Sequence, residues 1–433
     1  DRFNGTPTGP ERFEIILNQP ATDATGPTDQ KESTLCHSMI LERLHQFGLS
    51  FDPAPTLRSV TMPQDFAALF PASAGALYGR SPHGMMAAFK RPTARTAVAG
   101  LYLTGGGAHP GAGVPMATLS ARHARPAFDV TVPPGGYAWW YVDGVSDDGT
   151  RAVSVIGFIG SVFSPWYAWS GRGNPANHCC INVATYGRGG RFAMTDRGSA
   201  ALRQSRDCLQ VGPSSMRWTG SQLVIDVNEV SSPPLVSRMR GQITLTPSGI
   251  TGVELPLTPD DAHIWRPFAP TARIDVALEA AGWNWSGHGY FDANFGTRPL
   301  EEDFTTWNWA RYPTRSGATC YYDATRRDGS TLATATAFTP EGTATPVTGP
   351  PLTPFRRTLW ALGRATRADT GTTPRQVKPM LDAPFYSRAV VETQIDGEVV
   401  QGVHEALDLT RYRSPLLKPM LAVRVPRRSG WTF

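Results

Sequence analysis

The spacing of apolar residues changes character near residue 125. Before that point it follows a helical period. In TDQKESTLCHSMILERLHQFG (28–48), Leu35, Met39, Ile40, Leu44 and Phe47 recur at helical intervals behind polar residues able to cap a helix start, which predicts a helix. MPQDFAALF (62–70) predicts a second, shorter one. GLYLTGGGAHPGAGVPMATLSARHA (100–124) has the form of a short apolar strand, a Gly-rich turn and a helix from about Val114.

From about residue 126 the pattern becomes one of short aromatic and β-branched runs. YAWWYV (137–142), RAVSVIGFIGSVF (151–163), CCINVATYG (179–187), QLVIDVNEV (222–230), QITLT (242–246), RIDVALEAAGWNW (273–285) and TCYYDAT (319–325) read as strands. DDG, GRGG, TPSG and RRDG mark turns between many of them. TPEGTATPVTGPPLTP (339–354) reads as a loop or linker. RAVVETQIDGEVVQGVHEALDLTRY (388–412) alternates like a hairpin that turns at Ile395-Asp396-Gly397. Regular short strands with Gly-rich turns predict barrels or sandwiches. With 433 residues, two β-barrels packed together fit the length.

Composition narrows the function classes. Gly 43 and Pro 38 are high counts that argue against a helical bundle. Of 41 basic residues only Lys31, Lys90, Lys378 and Lys418 are lysines, and the many arginines form no cluster with a reading motif, so a nucleic-acid partner is not expected. A formal charge of +5 is compatible with attraction to anionic lipid headgroups. The longest apolar run, AVSVIGFIGSVF (152–163), is broken by Gly and Ser and reads as a strand, not a spanning helix. The first residues lack the basic start and apolar core of a signal peptide. Cys36, Cys179, Cys180, Cys208 and Cys320 form no CxxC pair, so free thiols in a reducing compartment are expected, with neither a disulfide framework nor a metal site.

Two dyads carry the candidate chemistry: His263 with Trp265 in DAHIWRPF, and Tyr290 with Asp292 in GHGYFDANFG. Each pair is spaced i, i+2, which puts both side chains on one face of a strand. Together they supply one acid, one imidazole and two electron-rich rings. That set suits the hydration of an unactivated trisubstituted alkene. A carboxylic acid protonates the double bond, rings stabilise the tertiary cation, and the imidazole accepts a proton from the attacking water. Burial among aromatics would keep the acid neutral. The same residues also fit plainer roles. His263, Trp265 and Tyr290 could be packed core, and Asp292 an Asx turn. His288 is an equally visible imidazole with the look of a loop residue. Glu301, Glu302 and Asp303 in PLEEDF read as a solvated face.

Two resemblances sharpen this. The stretch LYLTGGGAHPGAGVPMATLSARHA resembles the C-terminal flavin-contacting segment of phytoene-desaturase-like enzymes, and residues 11–125 look like the tail of such a carotenoid desaturase. No GxGxxG fingerprint precedes it, so no FAD is expected to be held. From about residue 127 onward the chain resembles the bacterial carotenoid 1,2-hydratases. The residues carrying this are FDVTVPPGGYAWWYVDGVSDDG (128–149), VIGFIGSVFSPWYAW (155–169), NHCCINVATYG (177–187), RFAMTDRG (191–198), GHGYFDANFG (287–296) and WNWAR (307–311).

The hydratase resemblance implies two lipocalin-like barrels. It also implies hydration of the terminal double bond of acyclic carotenoids such as neurosporene and lycopene, without a cofactor or metal. In it Asp292 is the proton donor, His263 positions or activates water, and Trp265 and Tyr290 shape the pocket and stabilise the cation. The resulting expectation is a desaturase-like α/β fragment over 1–125 and lipocalin-like β domains over 126–270 and 271–433. The protein would be cytoplasmic and peripheral to the membrane, with SPWYAW (164–169) either an apolar rim at a barrel mouth or an ordinary buried strand end, and would work beside other enzymes of the same pathway. A carotenoid-binding lipocalin without catalysis and a flavin-dependent desaturase are the competing readings.

Overall fold

The computed structural model describes residues 30–51, 61–70, 73–76 and 125–428. The chain divides into two compact units, Asp1–Ser120 and Ala121–Phe433. In the first unit the helical stripe forms α1 (Gln30–Gln46), and α2 spans Pro63–Leu69. Pro63 opens α2, where its missing N–H costs nothing, and the Asp65 carboxylate accepts the Met62 N–H at 2.7 Å. Leu35, Met39 and Phe47 are more than half exposed. The strand, Gly-rich turn and helix expected over 100–124 lie outside the described residues.

The second unit is mainly β. Its first sheet begins with a meander of β1 (Tyr137–Ser146), β2 (Ala152–Ile159), β3 (Cys179–Tyr186) and β4 (Phe192–Ala193). A second meander follows, made of β5 (Leu202–Ser205), β6 (Cys208–Val211), β7 (Ser214–Trp218), β8 (Leu223–Val230) and β9 (Arg238–Pro247). After the short β10 (Leu255–Pro256), the long hairpin β11 (His263–Leu278) and β12 (Asn284–Gly296) joins the two meanders, with β12 against β1 and β11 against β9.

The second sheet repeats the plan. The meander β13 (Phe304–Thr314), β14 (Gly317–Arg326), β15 (Thr331–Phe338) and β16 (Ala344–Pro346) meets the meander β19 (Arg375–Asp382), β20 (Tyr386–Ile395) and β21 (Glu398–Asp408) through β13 and β21. The small hairpin β17 (Leu352–Phe355) and β18 (Arg364–Arg367) stands apart. The segment expected as a linker over 339–354 therefore contains β16 and the start of β17. The hairpin at 388–412 forms as expected. Its two turn residues, Asp396 (φ 51°) and Gly397 (φ 79°), are both left-handed, the backbone that a tight hairpin demands.

Why YAWWYV is an unbroken apolar run is clear from the packing. Ala138, Trp140 and Val142 point into a core that the first sheet curls around, where they meet Phe291 of the neighbouring β12 and Leu209, Ile225 and Ile243 from the far strands. Tyr137, Trp139 and Tyr141 point the other way, against Trp307, Trp309 and Tyr322 of the second sheet. A strand covered on both faces needs apolar side chains at every position.

The two sheets are also clamped by charge. Arg311 Nε on β13 donates to both carboxylate oxygens of Asp143 on β1, at 2.8 and 3.1 Å, with both groups fully buried. Among the described residues no pairing joins β4 to β5 or β16 to β19, so both sheets are open at these edges. A division after residue 270 falls inside β11, a continuous strand of 16 residues. The changeover between sheets comes instead between Gly296 and Phe304.

Candidate active site

Both dyads lie on the β11–β12 hairpin. His263 pairs with Gly296 and Trp265 with Asn294, while Tyr290 and Asp292 face Asp143 and Tyr141 across the β1 side of β12. The β11–β12 register shifts between Arg266 and Ala269, opposite Ala293 and Phe291, so Asp292 has no directly paired residue on β11. Bulges of this kind re-aim side chains.

Three of the four residues meet. Asp292 Oδ2 accepts the Trp265 indole N–H and the Tyr290 hydroxyl, each at 2.8 Å. Its other oxygen, Oδ1, is buried and has no hydrogen-bond partner within the protein. Burial pushes the carboxyl up from its ordinary 3.8 to about 8, against the opposing pull of those two hydrogen bonds. Glu405 and Asp143 add smaller upward contributions. At neutral pH the acid is therefore mostly protonated. Because Oδ2 already accepts two hydrogens, the proton belongs on Oδ1.

Asp292 lines a cavity of about 40 Å³. Its walls are Trp139, Tyr141, Ile156 and Phe158 from β1 and β2, Asp292 and Asn294 from β12, and Trp307, Trp309, Tyr322, Arg388, Glu405 and neighbours from the second sheet. Space of that size holds a few waters. A methyl-branched chain end is larger, so its entry requires side chains to move.

His263 lies on the same hairpin with its ring turned elsewhere. It is fully buried, stacked on Tyr137 with ring centroids 5.7 Å apart and tilted against Phe304. Nδ1 is 2.8 Å from the Tyr137 hydroxyl and Nε2 is 2.7 Å from Asp303 Oδ2. Burial holds the imidazole below its usual range and so neutral, while the Tyr137 phenol is raised and keeps its proton. Arg298 and His263 hold Asp303 ionised against its partial burial, Arg298 Nε and Nη2 donating at 2.6 and 2.9 Å. The consistent tautomer has Nε2–H donating to Asp303 and Nδ1 accepting from Tyr137.

Several expectations change here. PLEEDF is solvated only in part, with Glu302 exposed, Asp303 half-buried and Glu301 buried. It forms α4 (Leu300–Asp303), where Asp303 orients His263 and the buried Glu301 pairs with Arg172 at 2.5 Å. His288 is a strand residue, not a loop residue. It sits on β12, 3.3 Å from Arg311 Nη1, and burial pushes its pKa down to about 4. SPWYAW forms α3 (Pro165–Trp169), with Tyr167 buried and Trp169 about half exposed. None of the five cysteines is joined in a disulfide, and Cys179, Cys180 and Cys320 are buried.

Comparison with known proteins gives consistent matches. The family model described as carotenoid hydratase CrtC matches residues 155–433. An acyclic carotenoid 1,2-hydratase of Cereibacter sphaeroides is 66% identical over 279 residues, covering 64% of this chain and 100% of that protein. Its namesake from Rhodobacter capsulatus is 58% identical over 278 residues, covering 64% and 99%. A hydroxyneurosporene desaturase of Cereibacter sphaeroides is 59% identical over 128 residues, which cover 29% of this chain and 25% of that protein.

Proposed function

The chain belongs to the carotenoid hydratase family, and on that premise we propose that Asp292 protonates the terminal 1,2 double bond of an acyclic carotenoid, such as neurosporene or lycopene, and that water captures the cation. The protein is a hydro-lyase, as the acyclic carotenoid 1,2-hydratases it matches over their whole length are. The observation that carries the mechanism is the state of Asp292: neutral near pH 7, fixed at Oδ2 by two donors, and with Oδ1 facing no protein acceptor. A proton held there has only the contents of the cavity to go to.

Protonation at the less substituted carbon places the positive charge on the tertiary carbon. Trp139, Trp307 and Trp309 surround that space, and the face of an aromatic ring attracts a cation by on the order of 2 kcal/mol when desolvated. Tyr290 and Trp265 orient the acid. His263 serves as a positioning residue that fixes Tyr137 and, through their stack at 4.8 Å, the Trp139 wall. The addition leaves the overall oxidation level unchanged, so side chains suffice for every step.

The test is product formation from neurosporene or lycopene in detergent. Wild type yields the 1-hydroxy compound. Asp292→Asn folds, binds substrate and loses hydration by about 10²–10⁴-fold, the usual contribution of a positioned general acid. Retained activity removes Asp292 from the role, and binding without product in wild type leaves a carotenoid carrier.

Both sheets of the second unit are read as lipocalin-like, dividing between 297 and 303. The first unit is read as the C-terminal part of a desaturase-like protein that holds no flavin, in keeping with the partial desaturase match. Visible flavin absorbance at one equivalent in purified protein contradicts this. Among the described residues no helix is long and apolar enough to cross a membrane. The substrate partitions into lipid, so the protein is proposed to work peripherally, on the cytoplasmic side of a membrane and beside other enzymes of the pathway.

One end of the second unit suits that placement. α3, α5 (Leu409–Tyr412) and α6 (Leu417–Arg424) lie there, tied together by the Trp166 indole donating to Val425 O at 2.7 Å and by Tyr412 donating to Val162 O. Arg411 draws in the loop around Trp360, and Ser232 anchors the 232–236 loop to Arg424 O. Trp169, Leu359, Leu416 and Val423 are exposed there by 53%, 95%, 85% and 61%, with Arg356, Arg357 and Arg413 exposed among them. Phe163, a cavity wall, packs edge-on against Tyr412 at this same end.

A further inference from the structure

Protonation is half of the reaction, and the capturing water must lose a proton. His263 is poorly placed to take it, since both ring nitrogens are engaged by Tyr137 and Asp303. The cavity wall facing β12 offers another carboxylate. Glu405 on β21 lies in register with Trp309 on β13 and Arg388 on β20, and all three line the cavity.

Arg388 Nε donates to Glu405 Oε1 at 2.7 Å. The guanidinium is itself locked, with Nη1 donating to Ser154 Oγ at 2.5 Å and to the Tyr186 hydroxyl at 3.0 Å, and its plane over the rings of Tyr141 and Tyr386. On the same wall the indole N–H groups of Trp307 and Trp309 are buried with no partner within the protein. One fixed anionic acceptor and two unused donors form the complement of a water molecule.

Building on Asp292 as the acid, we propose that Glu405, held by Arg388, is the general base that deprotonates the water as it captures the carbocation. The steps balance. The Asp292 O–H bond breaks and a C–H bond forms, leaving a carboxylate and a tertiary cation. A lone pair of the water oxygen forms the C–O bond, and one of its O–H bonds breaks, with that proton going to Glu405. Transfer through cavity water from Glu405 to Asp292 restores both groups. The sum is one alkene and one water giving one tertiary alcohol.

The full-length protein is assayed with lycopene in detergent made up in D2O, following both 1-hydroxy product and deuterium in recovered lycopene. In Glu405→Gln, whose amide oxygen still accepts from Arg388, hydration falls about 10²-fold or more. Deuterium still enters the terminal alkene position, because a cation that is not captured gives a proton back to Asp292. Glu405→Asp, which keeps the charge one methylene further away, shows slowed hydration with exchange intact and serves if the Gln variant misfolds. Unchanged hydration in these variants, or hydration and exchange lost together in a variant of wild-type Tm, overturns the proposal. Asp292→Asn loses both signals; if its exchange persists, the acid assignment fails instead.

Discussion

Asp292 shows how one carboxyl can be ordinary in sequence and unusual in place. Burial raises its pKa while the Trp265 N–H and Tyr290 O–H lower it, and the outcome is about 8. Hydration should fall as pH rises through that value, because the reactive form is the neutral one. Trp265→Phe removes a hydrogen bond that favours the anion, so the alkaline limb of the pH–rate profile should move up; a profile that stays put or moves down contradicts the assignment. The same shift has a stability signature. A folded pKa above the unfolded one contributes stability that is complete below about 4 and lost as pH rises through about 8. Thermal melts of Asp292→Asn should therefore gain on wild type across that window. The dyads were legible because strand period alone puts i and i+2 side chains together. Tyr137, Asp303, Arg388 and Glu405 were not, since each reaches the site from another strand or helix and carries no local mark of its partner.

At the scale of the element, the glycines of GHGYFDANFG explain the motif as much as its acid does. A Cβ on Gly287 would lie 1.9 Å from Val145 O, and one on Gly296 would lie 2.2 Å from Tyr137 Cε1. β12 is squeezed between β1 and β11 and leaves no room there. Gly296→Ala should destabilise the protein by about 1–3 kcal/mol, the usual cost of overpacking, and lower hydration by displacing the ring that holds His263. Gly173→Ala, which meets nothing within 4 Å, is the control and should stay within about 0.5 kcal/mol. Equal Tm losses in the two variants would contradict this packing account. The hairpin turn at Asp396-Gly397 could be read from two residues. The extent of β11 could not, because a boundary near 270 looks natural at Pro267 and Pro270 and only pairing with β9 and β12 carries the strand through.

For the whole molecule, the strand texture announced a mainly β second unit but not its arrangement as two facing sheets. The apolar run of β1 serves two cores at once, and hydropathy does not say which side chain goes to which. The exposed apolar end beside α3 and α6 gives the whole-molecule prediction. Trp169→Ser with Leu416→Ser should reduce co-sedimentation with vesicles containing anionic lipid several-fold, while hydration of detergent-dispersed lycopene is retained. Undiminished vesicle binding would move the docking surface elsewhere.

The seat of β12 between β1 and β11 bears on how the protein is made. Tyr137 must find Gly296 across the whole intervening chain before the first sheet is complete, and such long-range pairings are slow to form, on the order of milliseconds to seconds. Until β13 and β21 also arrive, Asp292 remains a wet, ionised aspartate with no power to protonate anything. A nascent chain on the ribosome is thus chemically silent, and the neutral, proton-donating carboxyl comes into being only once β21 has left the exit tunnel.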